Sequence, residues 1–434
     1  MPPRFLVSTL LTVAVAYGQL AAPVETRPLT LQQAVALALR QNPDYLLARL
    51  EEQKARQAVV EARSPFVTQI IVGSGLAFSN GLPLSIAGSA PSIVQAYGSK
   101  FIYNRSQSFR VREAGEMANA AAYAVDAKAG EIAYQVAATY LDFERATRAL
   151  AAAKRQLETV MRIEQLIEAR VQAGREIPLE LTRARVETAR TRNQAQALQA
   201  RADLLEETLR STLALGDGLR ITPVETELPA RDSLPETGDA AVSAAVSNSK
   251  EIKRLHAALE AKRYQVKAEK GAHFPRIDLV AQYAMLGRFN NYEDFFRTFQ
   301  RHNGQLGMSF QLPVLAGSQI SSRVAQVESE IAQLKLQLSA ALANLSLETR
   351  RLFREVQQVD SNRDLARLEL DLARESLSVS LARFDEGRIP LSEVEQARVT
   401  ESQRWEAFYD LQTAAHKARL NLLRQTGTLL AALK

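Results

Sequence analysis

Apolar residues recur at helical spacing along most of the 434-residue chain. Glycine and proline mark where these patterns stop, as does alternation between apolar and polar positions. Two of the predicted helices are proline-free over nearly 70 residues, which corresponds to about 100 Å at 1.5 Å per residue. The pattern predicts helices over residues 31–63, 106–172, 178–215, 239–270, 318–386 and 391–430. It predicts strands over 66–78, around Tyr97–Tyr103, over 277–286 and over 306–314, with loops at 79–96 and 288–303.

A short passage occurs twice in the chain. ARVQAGREIPLELTRARV (169–186) and ARFDEGRIPLSEVEQARV (382–399) align without a gap and match at 8 of 18 positions. Each passage lies where a long predicted helix gives way to a shorter one. We therefore predict a tandem repeat in which each half reads helix, strand, strand, very long helix, turn and return helix. The predicted divisions are residues 1–18, 19–215, a linker at 216–238, and 239–434.

The long helices carry two apolar seams. In the second half one seam contains Leu365, Leu368, Leu372 and Val379, and the other contains Leu370, Leu377, Leu381 and Phe384. A single seam suits a dimeric coiled coil. Two seams require neighbours on both sides, so the pattern predicts a bundle or a cylinder of helices, an α-barrel.

The four predicted strands raise a closure problem. Each is about ten residues long with one apolar face, which is the length of a tilted strand that crosses a bilayer. Four strands do not close a barrel, and an edge exposed to lipid leaves backbone groups without partners. Three copies that pool their strands would form a barrel of 12, within the known even-numbered range. The alternative is a small soluble sheet that caps a helical bundle.

Composition removes several classes of function. The chain has no cysteine, which excludes disulfides, thiolate metal sites and cysteine catalysis. Its four histidines lack metal-ligand spacing, and no nucleophile elbow, Walker loop or HExxH motif occurs. The sequence therefore predicts no catalytic residue, cofactor or metal. The net charge of +6 is distributed along helical faces, which favours solvated helix surface over binding to nucleic acid or to an anionic membrane surface.

The N-terminus has the pattern of a secretory signal peptide. MPPRFLVSTLLTVAVAYGQL contains Arg4, an apolar run over 5–16 and the small-x-small site Ala16-Tyr17-Gly18. We expect cleavage after Gly18 and export of the mature chain. The alternative is a buried N-terminal helix.

Three features together resemble the TolC-type outer-membrane efflux proteins. LTLQQAVALALRQNPD (29–44) resembles the family's N-terminal signature, and FQLPV (310–314) with Gly317 resembles its strand-to-helix passage. The doubled turn around Gly174 and Gly387 resembles its helical-hairpin tips. The first half departs from the pattern at 101–104, where no proline occurs.

This resemblance implies a homotrimer in the Gram-negative outer membrane. Its 12-stranded β-barrel, with four transmembrane strands per protomer, would contact outer-membrane lipid and continue as an α-barrel through the periplasm. The helical tips would dock on a periplasmic adaptor, a membrane fusion protein, bound to an inner-membrane transporter. The implied function is a passive exit duct in a tripartite efflux or type I secretion system.

The resemblance also assigns candidate site residues. The adaptor-contacting tips would include Arg170, Val171, Gly174, Arg383, Phe384 and Gly387. Glu180, Glu393 and Gln396 would lie near the periplasmic aperture, although Gln396 occupies a position that is commonly acidic. A three-fold repeat of carboxylates in a narrow pore would attract cations. Alternatively, both glutamates simply favour the positive end of a helix dipole.

Two other classes of protein compete with a channel. A periplasmic coiled-coil adaptor or scaffold would have long hairpins without a pore, but an adaptor has one hairpin between β-domain halves and this chain has two. A secreted enzyme on a helical scaffold would need a catalytic constellation, which the sequence lacks.

Overall fold

The structure, a computed structural model, describes residues 25–75, 92–216, 219–224, 234–286, 300–314, 317–386, 388–389 and 391–433. The predicted signal peptide at 1–18 lies outside these residues, as do most of the predicted loops at 79–96 and 288–303. The described chain is mostly helical with little sheet, as the sequence predicts.

Between two short strands, the first half contains two short helices, two longer strands, a 68-residue helix and a return helix. Its elements are β1 (Glu25–Leu29), α1 (Leu31–Gln41), α2 (Pro43–Arg63), β2 (Gln69–Gly75), β3 (Ser92–Asn104), α3 (Arg105–Gln172), α4 (Pro178–Thr212) and β4 (Leu219–Pro223).

The second half has the same order of two short helices, two strands, a long helix and a return helix. Its elements are α5 (Gly238–Asn248), α6 (Lys250–Gly271), β5 (Arg276–Leu286), β6 (His302–Gln311), α7 (Gln319–Asp385), α8 (Leu391–Gln425) and α9 (Leu429–Ala432). No helix within the described residues has an apolar stretch long enough to cross a membrane.

The prediction of single helices over 31–63 and 239–270 is wrong. Asn42 ends α1 and its side chain accepts hydrogen bonds from the backbone N–H groups of Asp44 and Tyr45, so it also caps α2. Pro43 suits the first position of that second helix. In the second half, Ser249 caps α6 in the same way. Local capping therefore interrupts a helical pattern that continues across the break.

The strand boundaries also differ from the predicted ones. Phe66 lies in a 3-10 turn, so β2 begins only at Gln69. Ser92–Ala96, predicted as loop, belongs to β3. The last strand occupies His302–Gln311 and stops before Leu312 and Pro313, because proline offers no N–H to the ladder.

Four strands from both halves form one antiparallel sheet in the order β2-β3-β5-β6. A separate parallel pair, β1 with β4, joins residues 25–29 to 219–223. β4 lies within the predicted linker, and the sequence pattern gave no signal for β1.

Helices α3, α4, α7 and α8 all end with a hydrogen bond from an N–H group to the carbonyl five residues earlier. These bonds join Arg175 to Arg170, Leu215 to Arg210, Arg388 to Arg383 and Thr428 to Leu423, at 2.9–3.0 Å. This is the Schellman arrangement, which requires a left-handed residue. Gly174, Ala214 and Gly427 have positive φ angles of 69°, 51° and 74° at three of these ends.

The predicted continuation of the last helix to 430 is wrong, since α8 ends at Gln425.

The main buried core lies midway along the molecule, where α1, α3, α4, α8 and the β1–β4 pair meet. Tyr140 of α3 is fully buried there, and its hydroxyl lies 2.6 Å from the Leu29 carbonyl and 2.8 Å from the Val224 carbonyl. The hydroxyl also accepts a hydrogen bond from the Val224 N–H. This core fixes the long helices relative to the linker.

Candidate functional site

The four-stranded sheet has one apolar and one polar face. In the β5–β6 register, Leu279 pairs with Met308 and Ala281 with Leu306, whereas Gln282 pairs with Gln305. Because residues paired across strands point to the same face, this register places most apolar side chains on one face and most polar side chains on the other. The mainly apolar face contains Ile70, Val72, Val94, Ala96, Ile277, Leu279, Ala281, Met285, Leu306, Met308 and Phe310, with Lys100 and His302 among them. The mainly polar face contains Gln69, Gln95, Ser99, Asp278, Gln282, Asn303, Gln305 and Ser309, with Ile71, Tyr97, Phe101 and Val280 among them.

Both edges of this sheet are open within the described protomer. β2 pairs only with β3, and β6 pairs only with β5, among the strands of the described residues. The apolar side chains of these edge strands are exposed, for example Leu306 at 74%. Exposed apolar side chains beside unpaired strand edges favour contact with further apolar surface and with further strands.

The two predicted seams of α7 differ in their environment. Leu370 is 2% exposed, and Leu377 and Leu381 are half-buried. The other seam is open, with Leu368 at 68% and Leu372 at 69% exposure. One seam thus packs inside the protomer, and the other is available to another chain.

The tips of the two hairpins share one backbone hydrogen bond, from Arg175 to Arg170 in the first and from Arg388 to Arg383 in the second. Gly174 adopts the left-handed conformation and its N–H donates to the Val171 carbonyl over 3.0 Å. Arg170 lies on the surface, as do Arg383 and Phe384 in the second tip. Gly387 lies outside the described residues. The exposed apolar side chains of Ile177 and Leu179 follow the first tip, a feature that the sequence analysis did not single out.

The candidate aperture residues lie in first turns of return helices. Glu180 is in the first turn of α4 and accepts a hydrogen bond from Arg183 over 2.6 Å. Glu393 is in the first turn of α8 and exposed, as is Gln396. These positions satisfy the helix-dipole interpretation. The aperture role stays a prediction.

Charged side chains connect the two hairpins of the protomer. Lys417 of α8 contacts Asp142 of α3 over 2.8 Å. Closer to the hairpin tips, Asp410 of α8 pairs with Arg145 of α3. Burial, followed by the nearby Asp410, raises the pKa of Glu406. Sequence reasoning missed this link because its partners come from opposite halves of the chain.

A second charged cluster lies between α7 and α8. Asp360 is buried and accepts a hydrogen bond from Arg419 over 2.6 Å. Burial, followed by the nearby Arg419 and Arg363, lowers the pKa of His416 to about 4. His416 is therefore neutral at pH 7. Among the described residues, no group of His, Asp and Glu side chains is placed to hold a metal ion.

Comparison with known proteins agrees with this geometry. Residues 241–428 match the family model described as outer membrane efflux protein. No curated protein sequence matches the chain. The predicted resemblance to the outer-membrane efflux proteins is thus confirmed, and that family consists of channel proteins rather than enzymes.

Solved structures extend the likeness to almost the whole fold. The Campylobacter jejuni CmeC outer membrane channel has a TM-score of 0.75 at 16% identity, over 92% of this chain and 86% of that chain. The outer membrane protein VceC from Vibrio cholerae has a TM-score of 0.72 at 16% identity, over 92% and 96%. The open state of the Neisseria gonorrhoeae MtrE outer membrane channel has a TM-score of 0.69 at 15% identity, over 92% and 89%. The chain therefore has the fold of these outer-membrane channels.

Proposed function

We propose that this chain is one protomer of an outer-membrane exit duct that conducts substrate passively from the periplasm or an inner-membrane pump to the exterior. The observation that carries the proposal is the sheet with one apolar face, one polar face and two open edges. In a barrel, the apolar face would contact lipid and the polar face would line a water-filled pore.

We infer that three copies form the duct. Four strands from each would give a 12-stranded barrel, which leaves no edge exposed to lipid. The open seam of α7 supports assembly, because it would pack against a neighbouring copy and close the long helices into an α-barrel. We also propose that residues 19–215 and 239–434 are structural repeats around the 216–238 linker. Their common element order and the Schellman bonds that end both hairpins support that division.

The location follows from the same features. The sheet would lie in the outer membrane of a Gram-negative cell, and the helices, about 100 Å long, would extend into the periplasm. CmeC, VceC and MtrE, which share the fold, are outer-membrane proteins.

The hairpin tips are our proposed contact with a periplasmic adaptor, through which an inner-membrane transporter would act. Arg170, Val171, Arg383 and Phe384 precede the turns, and Gly174 provides the left-handed geometry of the first. Gly387 is the proposed equivalent in the second. Glu180, Glu393 and Gln396 are the proposed aperture residues.

Ion conduction tests the duct directly. Purified protein reconstituted into a planar bilayer should give discrete conductance steps, and solubilised protein should have the mass of a trimer. A monomeric protein that stays out of the bilayer and gives no conductance would refute the proposal. Channels of Glu180→Gln and Glu393→Gln should show a lower cation-to-anion permeability ratio if these carboxylates line the aperture. An unchanged ratio would leave them as helix-dipole residues.

A further inference from the structure

Basic residues are concentrated where the helices meet the four-stranded sheet. Segments 105–113, 262–276 and 319–327 adjoin β3, β5 and β6, and together they contain nine Lys or Arg and only two Glu. The whole chain has a net charge of +6, so the remainder is slightly acidic. These segments therefore carry a local excess of positive charge next to the sheet, and Glu328 and Glu330, just beyond the third segment, pair with two of the lysines.

Some of these cations have carboxylate partners on neighbouring helices. Ion pairs join Arg110 and Arg323 to Glu269, Lys262 to Glu330 and Lys270 to Glu328. Arg105, Arg112 and Lys267 differ, because no carboxylate within the described ranges lies within 4 Å of them. All three side chains are exposed.

These three cations lie over aromatic rings instead. The Arg105 guanidinium is 3.9 Å from the centre of the Phe274 ring, and the Lys267 ammonium is 5.0 Å from that of Tyr264. Arg112 lies between 5.7 and 5.9 Å from the rings of Phe109 and Tyr264, which stack on each other. We call this surface the junction patch: Arg105, Phe109, Arg112, Tyr264, Lys267 and Phe274.

The patch combines aromatic rings with cations, the two kinds of side chain that favour a membrane–water interface. Aromatic side chains favour the headgroup level of a bilayer. Cations near that level attract anionic lipids, and aromatic rings hold them without neutralising their charge. The patch also adjoins the sheet along the chain, since Arg105 directly follows β3 and Phe274 lies two positions before the first residue of β5.

We infer that the junction patch binds the headgroups of anionic phospholipids in the leaflet that faces the helices. The inference rests on the proposed function, because it requires the sheet to lie in a membrane. Arg105, Arg112 and Lys267 would contact the lipid phosphates, and Phe274 would lie among the upper acyl carbons.

Lipid titration of the solubilised assembly tests this inference. Native mass spectrometry would compare phosphatidylglycerol with phosphatidylcholine of the same acyl chains. The neutral variant Arg105→Gln, Arg112→Gln, Lys267→Gln should bind phosphatidylglycerol roughly 100-fold more weakly, because each cation near a lipid surface contributes about fivefold. Its binding of phosphatidylcholine should not change.

Two matched variants separate headgroup contact from general effects. Arg105→Lys, Arg112→Lys, Lys267→Arg keeps the charge and should keep phosphatidylglycerol binding. Arg155→Gln, Arg192→Gln, Arg201→Gln removes the same charge from exposed hairpin positions and should also bind as the wild type does.

Two outcomes would overturn the inference. Equal phosphatidylglycerol binding by the wild type and the neutral variant, with normal channel conductance, would refute the patch and leave the duct intact. Loss of the oligomer in the neutral variant, equally in both lipids, would place the patch against a neighbouring copy. Failure of the wild type to conduct would instead refute the proposed function.

Discussion

Tyr140 shows how a single side chain holds the middle of the protein. Its buried hydroxyl contacts the backbone of both Leu29 and Val224, which are distant in sequence from it and from each other. Tyr140→Phe keeps the ring but leaves these backbone groups without that partner in a buried site. We expect a loss of about 1–3 kcal/mol in stability, measured as a lower midpoint of heat unfolding.

A matched variant isolates that hydroxyl. Tyr134→Phe keeps the ring that lies below Arg424 and removes a hydroxyl with no hydrogen bond among the described residues. Its midpoint should stay close to that of the wild type. Equal midpoints for Tyr140→Phe and Tyr134→Phe would refute the role of Tyr140.

His416 predicts a dependence of stability on pH. Its pKa is lowered from 6.5 to about 4 in the folded state by burial and by the arginines around it. Between these values the unfolded chain binds a proton that the folded chain does not, so stability falls as the pH drops from 6.5 to about 4. We expect the free energy of unfolding to fall by about 2 kcal/mol over this range, a value reduced because the side chain is partly exposed to solvent.

Replacement of His416 tests this dependence. Denaturant unfolding of His416→Gln at pH 7 and at pH 4.5 should show a smaller difference in stability than the wild type shows. His256→Gln, at an exposed position, should retain the wild-type difference. An unchanged difference in His416→Gln would contradict the assignment.

At the scale of elements, α4 and α8 end in the same Schellman arrangement with different residues. Ala214 has a φ angle of 51° and Gly427 one of 74°. A left-handed conformation costs a residue with a Cβ atom about 1–2 kcal/mol. A Cβ at Gly427 would also lie only 2.9 Å from the Cβ of Asn248.

This difference predicts opposite effects at equivalent positions. Ala214→Gly should stabilise the protein by about 1 kcal/mol, and Gly427→Ala should destabilise it by about 2 kcal/mol or more. Heat unfolding of the two variants beside the wild type measures both. A shift of the same sign in both variants would show that the helix ends are not equivalent.

Helices were predicted well where the apolar periodicity is long. Helix boundaries were predicted poorly where capping residues set them. The two long helices agree with prediction to within a residue at each end. The breaks at Asn42 and Ser249 were missed because the apolar pattern continues through them. β1 was missed because its five residues gain their order only from β4, almost 200 residues away. The described site residues at the tips and aperture lie at or beside the turns and in first turns of helices, and the contacts proposed for them involve other chains.

At the scale of the whole molecule, the open seam of α7 predicts how copies assemble. Leu372→Glu places a charge in the centre of that seam and should weaken the proposed trimer. Ser378→Glu adds the same charge at an exposed position about a third of a turn away and should leave the trimer intact. Size-exclusion chromatography with light scattering measures both masses, and a trimeric Leu372→Glu protein would contradict the proposed interface.

The sequence by itself determined the element types, the doubled hairpin and the family resemblance, because these depend on local periodicity and on short motifs. Tertiary structure decided which face and which seam stay open. The pairing of β3 with β5 joins the two halves into one sheet, and it leaves β2 and β6 as free edges. Packing of α7 on α8 buries the Leu370 side and exposes Leu368 and Leu372. Both results depend on contacts between residues far apart in the chain, which periodicity does not encode.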